Sequence, residues 1–487
     1  MMHSKQWLLP WLLPLALVAG GCNDDSGDNG AATADGEPSS SDGGGTPAAS
    51  VDWRQVTAQE LEPAPDGNYH NREAPIPPQC YTRTEGKHNP CYTCHQTYSD
   101  DRPNVMKDGH LQGSYAFSEV GLTNHWGNLF VDRRDAVAAI PDQAVVDYVH
   151  EDNYQPFRQA YQAGESSWDG YFPVVEDLAS GADAFDDQGF AKDGSGWVAF
   201  NYKPLPSTFW PTNGSTDDVM IRLPEKFRTA QQCSSVGEAE SRDVYLANLS
   251  ITEMAIKELD FIATPPIDEA AVCTDLDGDG DATGTATSIQ GPRNTYVGQA
   301  TDVPVTAQLY PEGTEFLHTV RYVGVNDSGD IYNAPRMKEV RYMRKHSFYG
   351  KPALRSKYGN EFQEKLDGNL PLYTPMDEGG LNNGFGWQVL GFIEDQDGSL
   401  RAQNREETRF CMGCHTSIGA TIDQTFAFGR KVTGAEGWGY IDTRGMADVP
   451  SISENKGEIL QYLERVGGGN EFRENEEMQE RWFDDDG

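Results

Sequence analysis

Cys91-Tyr92-Thr93-Cys94-His95 and Cys411-Met412-Gly413-Cys414-His415 repeat one pattern, C-x-x-C-H. This is the spacing of covalent haem attachment. Two thiols so placed add across the two vinyl groups of one porphyrin, and the imidazole of the next residue swings beneath the ring to ligate the iron. With 8 Cys and 10 His in 487 residues, random order gives roughly 0.003 matches. A zinc site built from two C-x-x-C pairs does not explain a His after both second cysteines. A thioredoxin-like redox pair asks for a βαβ pattern, which surrounds neither motif. The motifs therefore predict two covalently bound haem c groups, attached through Cys91, Cys94, Cys411 and Cys414, with His95 and His415 as proximal iron ligands.

The sixth coordination position decides what such iron does. A second His or a Met closes it for electron transfer, whereas an open position admits peroxide or oxygen. No His follows His415. A distal ligand for the second haem must then be an upstream His, with His318 and His346 as candidates, or a later Met. Met446 is feasible; Met478 sits in an acidic tail, a poor place for a buried ligand. For the first haem His110 and His125 are the nearest later candidates, His125 first. His88 is too close to Cys91 to reach around the ring.

The N-terminus reads as a targeting segment. Lys5 precedes an apolar run from Trp7 to Val18, and Ala19-Gly20-Gly21-Cys22 follows. Small residues directly before a Cys resemble the lipobox of bacterial lipoproteins, which implies cleavage before Cys22 and lipidation of its thiol. Asn23 beside Cys22, by resemblance to lipoprotein sorting rules, leans toward the outer membrane. From Asn23 to Ser50 the chain is mostly Asp, Gly, Ser, Ala and Thr without an aromatic residue. Such a tether cannot bury enough surface to fold, and spans roughly 30 Å on average. No later apolar run approaches the length of a membrane span.

Export also fits the cysteines, because disulfides form outside the cytoplasm. With Cys22 lipidated and four thiols on haem, Cys80, Cys233 and Cys273 remain. That is room for one disulfide, and Cys233 with Cys273, both mid-chain, is the expected pair; Cys80 is left as a buried thiol. A net charge of −38, from 76 acids and 38 bases, argues against nucleic acid and anionic lipid surfaces. It serves solubility or the steering of a basic redox partner.

Along the chain, 1–21 is the signal peptide, 22–50 the lipidated tether and 51–135 the first haem-binding region. Residues 136–290 form a mixed helical and aromatic-rich region. A helix is expected from Pro141 to His150, and the clearest one from Ser241 to Ala263, with Val244, Leu246, Leu249, Ile251, Met254 and Leu259 on its core face. Between them Trp168, Tyr171, Phe172, Trp197, Phe200, Tyr202, Phe209 and Trp210 stand among Gly and Pro and predict loops packed by rings. Asp275, Asp277, Asp279 and Asp281, with Gly280, match the first half of a calcium loop; Ala286 stands where the loop's bidentate Glu belongs. The bland alternative is an acidic surface loop. Residues 291–400 read as β-rich: strands at 303–310 and 315–325, a strand or short helix at 338–349, and a hairpin of 387–394 with 399–402 closed at Asp397-Gly398. Residues 401–487 hold the second motif, a helix at 456–466 and an acidic tail. The fold class is α+β, with haem-bearing helical, cytochrome c-like segments near both ends and a mixed, partly β, loop-rich middle.

The two motifs with the lipobox-like Cys22 resemble extracytoplasmic di-haem c-type cytochromes. Among these the di-haem cytochrome c peroxidase and MauG-like group is the best-known enzyme class, and it often holds calcium between two haem domains. Here the motifs lie 320 positions apart (411 − 91), wider than that group usually shows, and no peroxidase-type catalytic residue can be placed. The resemblance implies a membrane-tethered one-electron carrier of the bacterial envelope. The alternative is a di-haem oxidoreductase, peroxidase- or oxygenase-like, with one open catalytic haem.

Overall fold

The computed structural model describes residues 134–203, 215–366, 373–404, 407–408, 422–448, 456–457 and 460. Both C-x-x-C-H motifs, Cys22, Cys80, His110, His125, Phe209, Trp210, Met478 and most of the 456–466 stretch lie outside the described residues.

Three helices lead in: α1 (Arg134–Ala138), α2 (Asp142–His150) and α3 (Tyr154–Ala163). Pro141 stands just before α2, where its missing N–H costs nothing. Strands β1 (Val198–Ala199) and β2 (Ser215–Arg222) follow. Helix α4 (Arg242–Lys257) is the expected long helix, but it stops six residues early. Glu258 takes a left-handed conformation there (φ 52°), and its N–H returns to the Met254 carbonyl. The chain then leaves as strand β3 (Phe261–Asp268), which carries Pro265 and Pro266 and could not continue a helix. The Ser241 hydroxyl accepts the Val244 N–H at the other end of α4.

A short helix α5 (Glu269–Val272) and strand β4 (Thr285–Gln290) complete a small hairpin, β3 with β4. The stretch 303–310, expected as a strand, is a run of turns. Strands β5 (Glu315–Val325) and β6 (Ile331–Lys345), helix α6 (Lys351–Leu366), strands β7 (Thr374–Pro375), β8 (Leu381–Asn382), β9 (Trp387–Glu394) and β10 (Leu400–Ala402), and a turn of helix α7 (Ala427–Arg430) follow. β9 and β10 are the expected hairpin, closed through Gly398 at φ 83°.

The main sheet is antiparallel, in the order β1-β2-β5-β6-β9-β8-β7, with β10 on the same side of β9 as β8. Alternation along its strands sorts the core in two. Val219, Ile221, Phe316, Met343, Trp387 and Val389 pack on one face with α4 and the 422–438 segment. Met220, Leu317, Tyr342, Leu390 and Phe392 pack on the other with Tyr154, Phe172 and Trp197. Strands buried on both faces read as unbroken apolar runs, which is why 387–394 is legible as a strand. The described aromatics serve packing: Phe172 meets Phe392 at 4.8 Å and Phe200 meets Phe428 at 5.2 Å between ring centres.

Pro335 marks an irregularity. The pairing of β5 with β6 slips on both sides of Arg321, where a strand proline cannot donate to the ladder. The Arg321 guanidinium, wholly buried, donates to the Ala334 and Leu178 carbonyls and pairs with Asp218 at 3.0 Å.

The class is α+β, as expected. The balance differs, because a large antiparallel sheet dominates and helices are few. The haem-bearing helical segments expected near both ends have no counterpart among the described residues.

Candidate functional site

Beyond the second motif the described chain resumes at Ile422, in the core. Asp423, eight residues past His415, is the second residue of a tight turn in which Ile422 and Thr425 exchange both backbone hydrogen bonds. Asp423 and Gln424 have φ of 51° and 60°. Two successive left-handed residues make the mirror-image turn that normally calls for Asn-Gly, and each non-glycine residue there costs on the order of 1–3 kcal/mol. Buried partners hold the turn in place. The Asp423 carboxylate pairs with the Lys345 ammonium and accepts the Tyr310 N–H at 2.9 Å. Gln424 donates to the Tyr358 hydroxyl. Burial pushes the Asp423 carboxyl up and pulls the Lys345 ammonium down, and each charge opposes the shift of the other.

Eight residues further on, Lys431 is fixed a second time. Its ammonium donates to Glu253 (2.8 Å) and to the Val432 and Gly434 carbonyls, and lies 4.1 Å over the Trp438 ring. Lys257 donates to the other Glu253 oxygen (2.6 Å) and to the Lys431 carbonyl. Desolvation pulls Lys431 down to about 8 against the attraction of Glu253. Burial alone would raise the Glu253 carboxyl, but Lys257 and Lys431 outweigh it and hold it below its ordinary 4.5.

Three of the candidate ligands are described. His318 lies on β5, its Nε2 3.0 Å from Asp217, which also accepts the Tyr202 hydroxyl. Met446 sits in a turn closed by its own N–H on the Thr443 carbonyl. His346 follows the last residue of β6. Its N–H donates to the Gly386 carbonyl at 2.9 Å, and Nδ1 lies 2.9 Å from the Ser347 hydroxyl. Its Nε2 is buried and has no hydrogen-bond partner among the described residues. Leaving such a group unpaired costs on the order of 1–3 kcal/mol.

The acidic loop is a second site. Asp275 accepts the Gly278 and Gly280 N–H groups, Asp277 that of Asp279, Asp279 that of Asp281, and Asp281 that of Thr283. Gly278 and Gly280 supply φ of 81° and 91°. The carboxylate oxygens of Asp275, Asp277 and Glu269 lie within 4.8 Å of one another. Glu269 is the residue that sequence spacing misses. It precedes the loop, at the start of α5, and reaches it with its side chain buried. There Glu269 accepts the Leu276 N–H at 2.6 Å, and its own N–H donates to the Gly284 carbonyl. It supplies a carboxylate where the calcium pattern lacks one at Ala286. Asp279 and Asp281 stand outside this cluster of three. The expected disulfide is present: Cys233 is bonded to Cys273, with Cα atoms 6.1 Å apart, two residues before the loop.

A family model described as "-like lipoprotein" matches residues 65–486. The chain belongs to this lipoprotein family. A protein of Aquifex aeolicus (strain VF5), named an uncharacterized lipoprotein, is 30% identical over 456 residues, covering 84% of this chain and 75% of its own. No solved structure matches. The lipoprotein is thus a lipid-anchored protein of the cell envelope, and among its described residues no helix is long and apolar enough to cross a membrane. Both C-x-x-C-H motifs fall inside the family match, whereas Cys22 lies ahead of it.

Proposed function

We propose that this lipoprotein is a di-haem c-type cytochrome that passes single electrons in the bacterial cell envelope. The observation that carries the reading is the repeated C-x-x-C-H at 91–95 and 411–415. Cys91 and Cys94 would hold one porphyrin and Cys411 and Cys414 the other, with His95 and His415 as the iron ligands. Bound haem supplies exchange of one electron between Fe³⁺ and Fe²⁺. Cys22 carries the lipid, the tether to Ser50 holds the body off the membrane, and Asn23 favours the outer membrane. The net charge of −38 suits a basic redox partner. The 320-residue separation of the motifs favours the second reading, an oxidoreductase in which one haem stays open to peroxide or oxygen.

Visible and EPR spectra of the haem-loaded protein, with and without peroxide, test both. Two low-spin haems that ignore peroxide are expected. A high-spin haem that shifts on adding peroxide transfers the reading to the oxidoreductase, and a protein without covalent haem ends both.

The acidic loop extends the reading to calcium, supported by Glu269 closing the set of Asp275 and Asp277, with Asp279 and Asp281 further along the loop. Calcium at a hundred times its Kd raises unfolding free energy by about 2.7 kcal/mol. Thermal melts in calcium and in chelator read this directly, and Glu269→Gln is expected to abolish the difference. Equal melts for the unaltered protein would show that the loop is only an acidic surface.

A further inference from the structure

We infer that the acidic loop is a redox-gated calcium site: the Cys233–Cys273 disulfide holds the helical turn that carries Glu269, and opening it lowers the affinity for calcium. The inference rests on the calcium reading of the loop and adds its regulation. The three clustered carboxylates come from two pieces of chain. Asp275 and Asp277 belong to the loop, whose shape its own hydrogen bonds make. Glu269 belongs to α5, a helix of four residues. A single helical turn fixes several dihedrals for one hydrogen bond and does not stand alone. Glu269 is 1% exposed, its carboxylate accepts the Leu276 N–H, and among the described residues no lysine or arginine pairs with it. A buried carboxylate without a counter-charge is costly. This one lies within 4.8 Å of two more carboxylates, an arrangement that calls for a divalent cation held by oxygen ligands.

The disulfide and the chain beside it hold α5 in place. The Ser234 hydroxyl donates to the Ala271 carbonyl at 2.7 Å, and the Ser235 N–H to the Ala270 carbonyl at 3.0 Å. At the start of α5, Asp268 accepts the Ala270 N–H, and Asp243 on α4 accepts the Asp268 N–H. At its end Cys273 has φ 59°, the left-handed conformation that glycine usually supplies after a helix. Its N–H returns to the Glu269 carbonyl at 2.7 Å. Cys233 stands 40 residues earlier, so the bond ties α5 to a distant part of the chain. Cys233 is exposed and Cys273 half-buried, within reach of a thiol. Exchange with a dithiol leaves two thiols on the protein and a cyclic disulfide on the reductant; two electrons and two protons pass to the protein. Opening the bond frees the end of α5, and Glu269 loses the position from which it joins Asp275 and Asp277. The coupling is reciprocal, so bound calcium makes the disulfide harder to reduce.

The test uses the full-length protein. Calcium is titrated by calorimetry into the oxidised protein, the same protein after dithiol, and the double variant Cys233→Ser, Cys273→Ser. The loop site is the one that Glu269→Gln removes. Its affinity is expected to fall roughly tenfold to hundredfold on reduction, the usual cost of losing the support behind a metal ligand. The double variant binds as weakly as the reduced protein, and dithiol changes it no further. Saturating calcium lowers the reduction potential of the disulfide by about 30 mV for each tenfold difference in affinity. Equal affinity in the oxidised and reduced protein, or one potential in calcium and in chelator, overturns the inference and leaves the calcium reading intact. Should the serine variant fail to fold, Cys233→Ala with Cys273→Gly takes its place, because glycine adopts the left-handed conformation freely. Calcium affinity in that variant equal to the oxidised protein's overturns the inference equally. An oxidised protein that binds no calcium at the loop removes the reading and the inference together.

Discussion

Two loops in this lipoprotein reach the same left-handed region of backbone by opposite means. In the acidic loop the positions with positive φ are Gly278 and Gly280, and aspartates two to five residues away take up the backbone N–H groups. Its conformation is made locally, from residues that prefer it. At the 422–425 turn the positive φ values fall on Asp423 and Gln424, and the partners come from afar: Lys345, 78 residues away, and Tyr358, 66 residues away. That conformation is imposed by the rest of the fold. The first kind of loop tolerates the loss of a distant partner. The second depends on it and stores strain beside the segment that carries the second motif.

Breaking the imposed turn gives the largest expected effect. Lys345→Met leaves the Asp423 carboxylate buried without its cation, a loss of about 3–5 kcal/mol. Denaturant unfolding of the full chain reads it as a lower midpoint with little change of slope. Lys345→Met combined with Asp423→Asn removes both charges, keeps a residue that tolerates positive φ, and is expected to recover most of the loss. If the double variant is no better than the single one, the ion pair is not what holds the turn.

The second station on the same return segment makes the contrast depend on pH. Glu253 has its folded value below 4.5. The unfolded chain therefore binds the proton more readily, and the contribution of Glu253, complete above 4.5, is lost as pH falls through its folded value. Lys431 has its folded value near 8, against 10.5 for an ordinary lysine. Between those two the unfolded chain again holds more protons, so stability from this group rises with pH across that window. Glu253→Gln is expected to flatten the acid side and to cost about 3 kcal/mol at neutral pH, by leaving two ammonium groups buried without a carboxylate. An unchanged acid slope would assign acid sensitivity to other carboxylates.

The same contrast divides what was legible in the sequence from what was not. Local signals were readable. Ser241 and the apolar spacing announce α4, Asp397-Gly398 announces the β9–β10 hairpin, and the Asp-Gly alternation announces the acidic loop. Features set by distant contacts were not. Glu258 ends α4 early through a left-handed turn that a Glu does not advertise. The stretch 303–310 alternates like a strand, yet its bonds are spent in turns rather than on the sheet. Glu269 joins the acidic cluster from outside the twelve-residue window in which a calcium pattern is sought. The proposed haem attachment at Cys91, Cys94, Cys411 and Cys414 rests on spacing alone.

The smallest expected effects sharpen the contrast most directly, because they exchange the two solutions. Gly280 has φ 91° and nothing within 4 Å of where a Cβ would stand. Gly280→Ala therefore meets no clash and isolates the backbone term, an expected loss of about 1 kcal/mol. Gln424→Gly removes strain of similar size from the imposed turn but also forfeits the hydrogen bond to Tyr358, a net contribution of about 1 kcal/mol. The two terms oppose, so Gln424→Gly should leave the unfolding midpoint nearly unchanged. Adding it to Tyr358→Phe separates them. With the hydroxyl already gone, the glycine no longer forfeits that hydrogen bond and gains the relief of strain, so the double variant should be more stable than Tyr358→Phe alone. If it is less stable, contacts of the Gln424 side chain other than the Tyr358 hydroxyl outweigh the strain, and the turn is imposed by those contacts rather than by that one hydrogen bond.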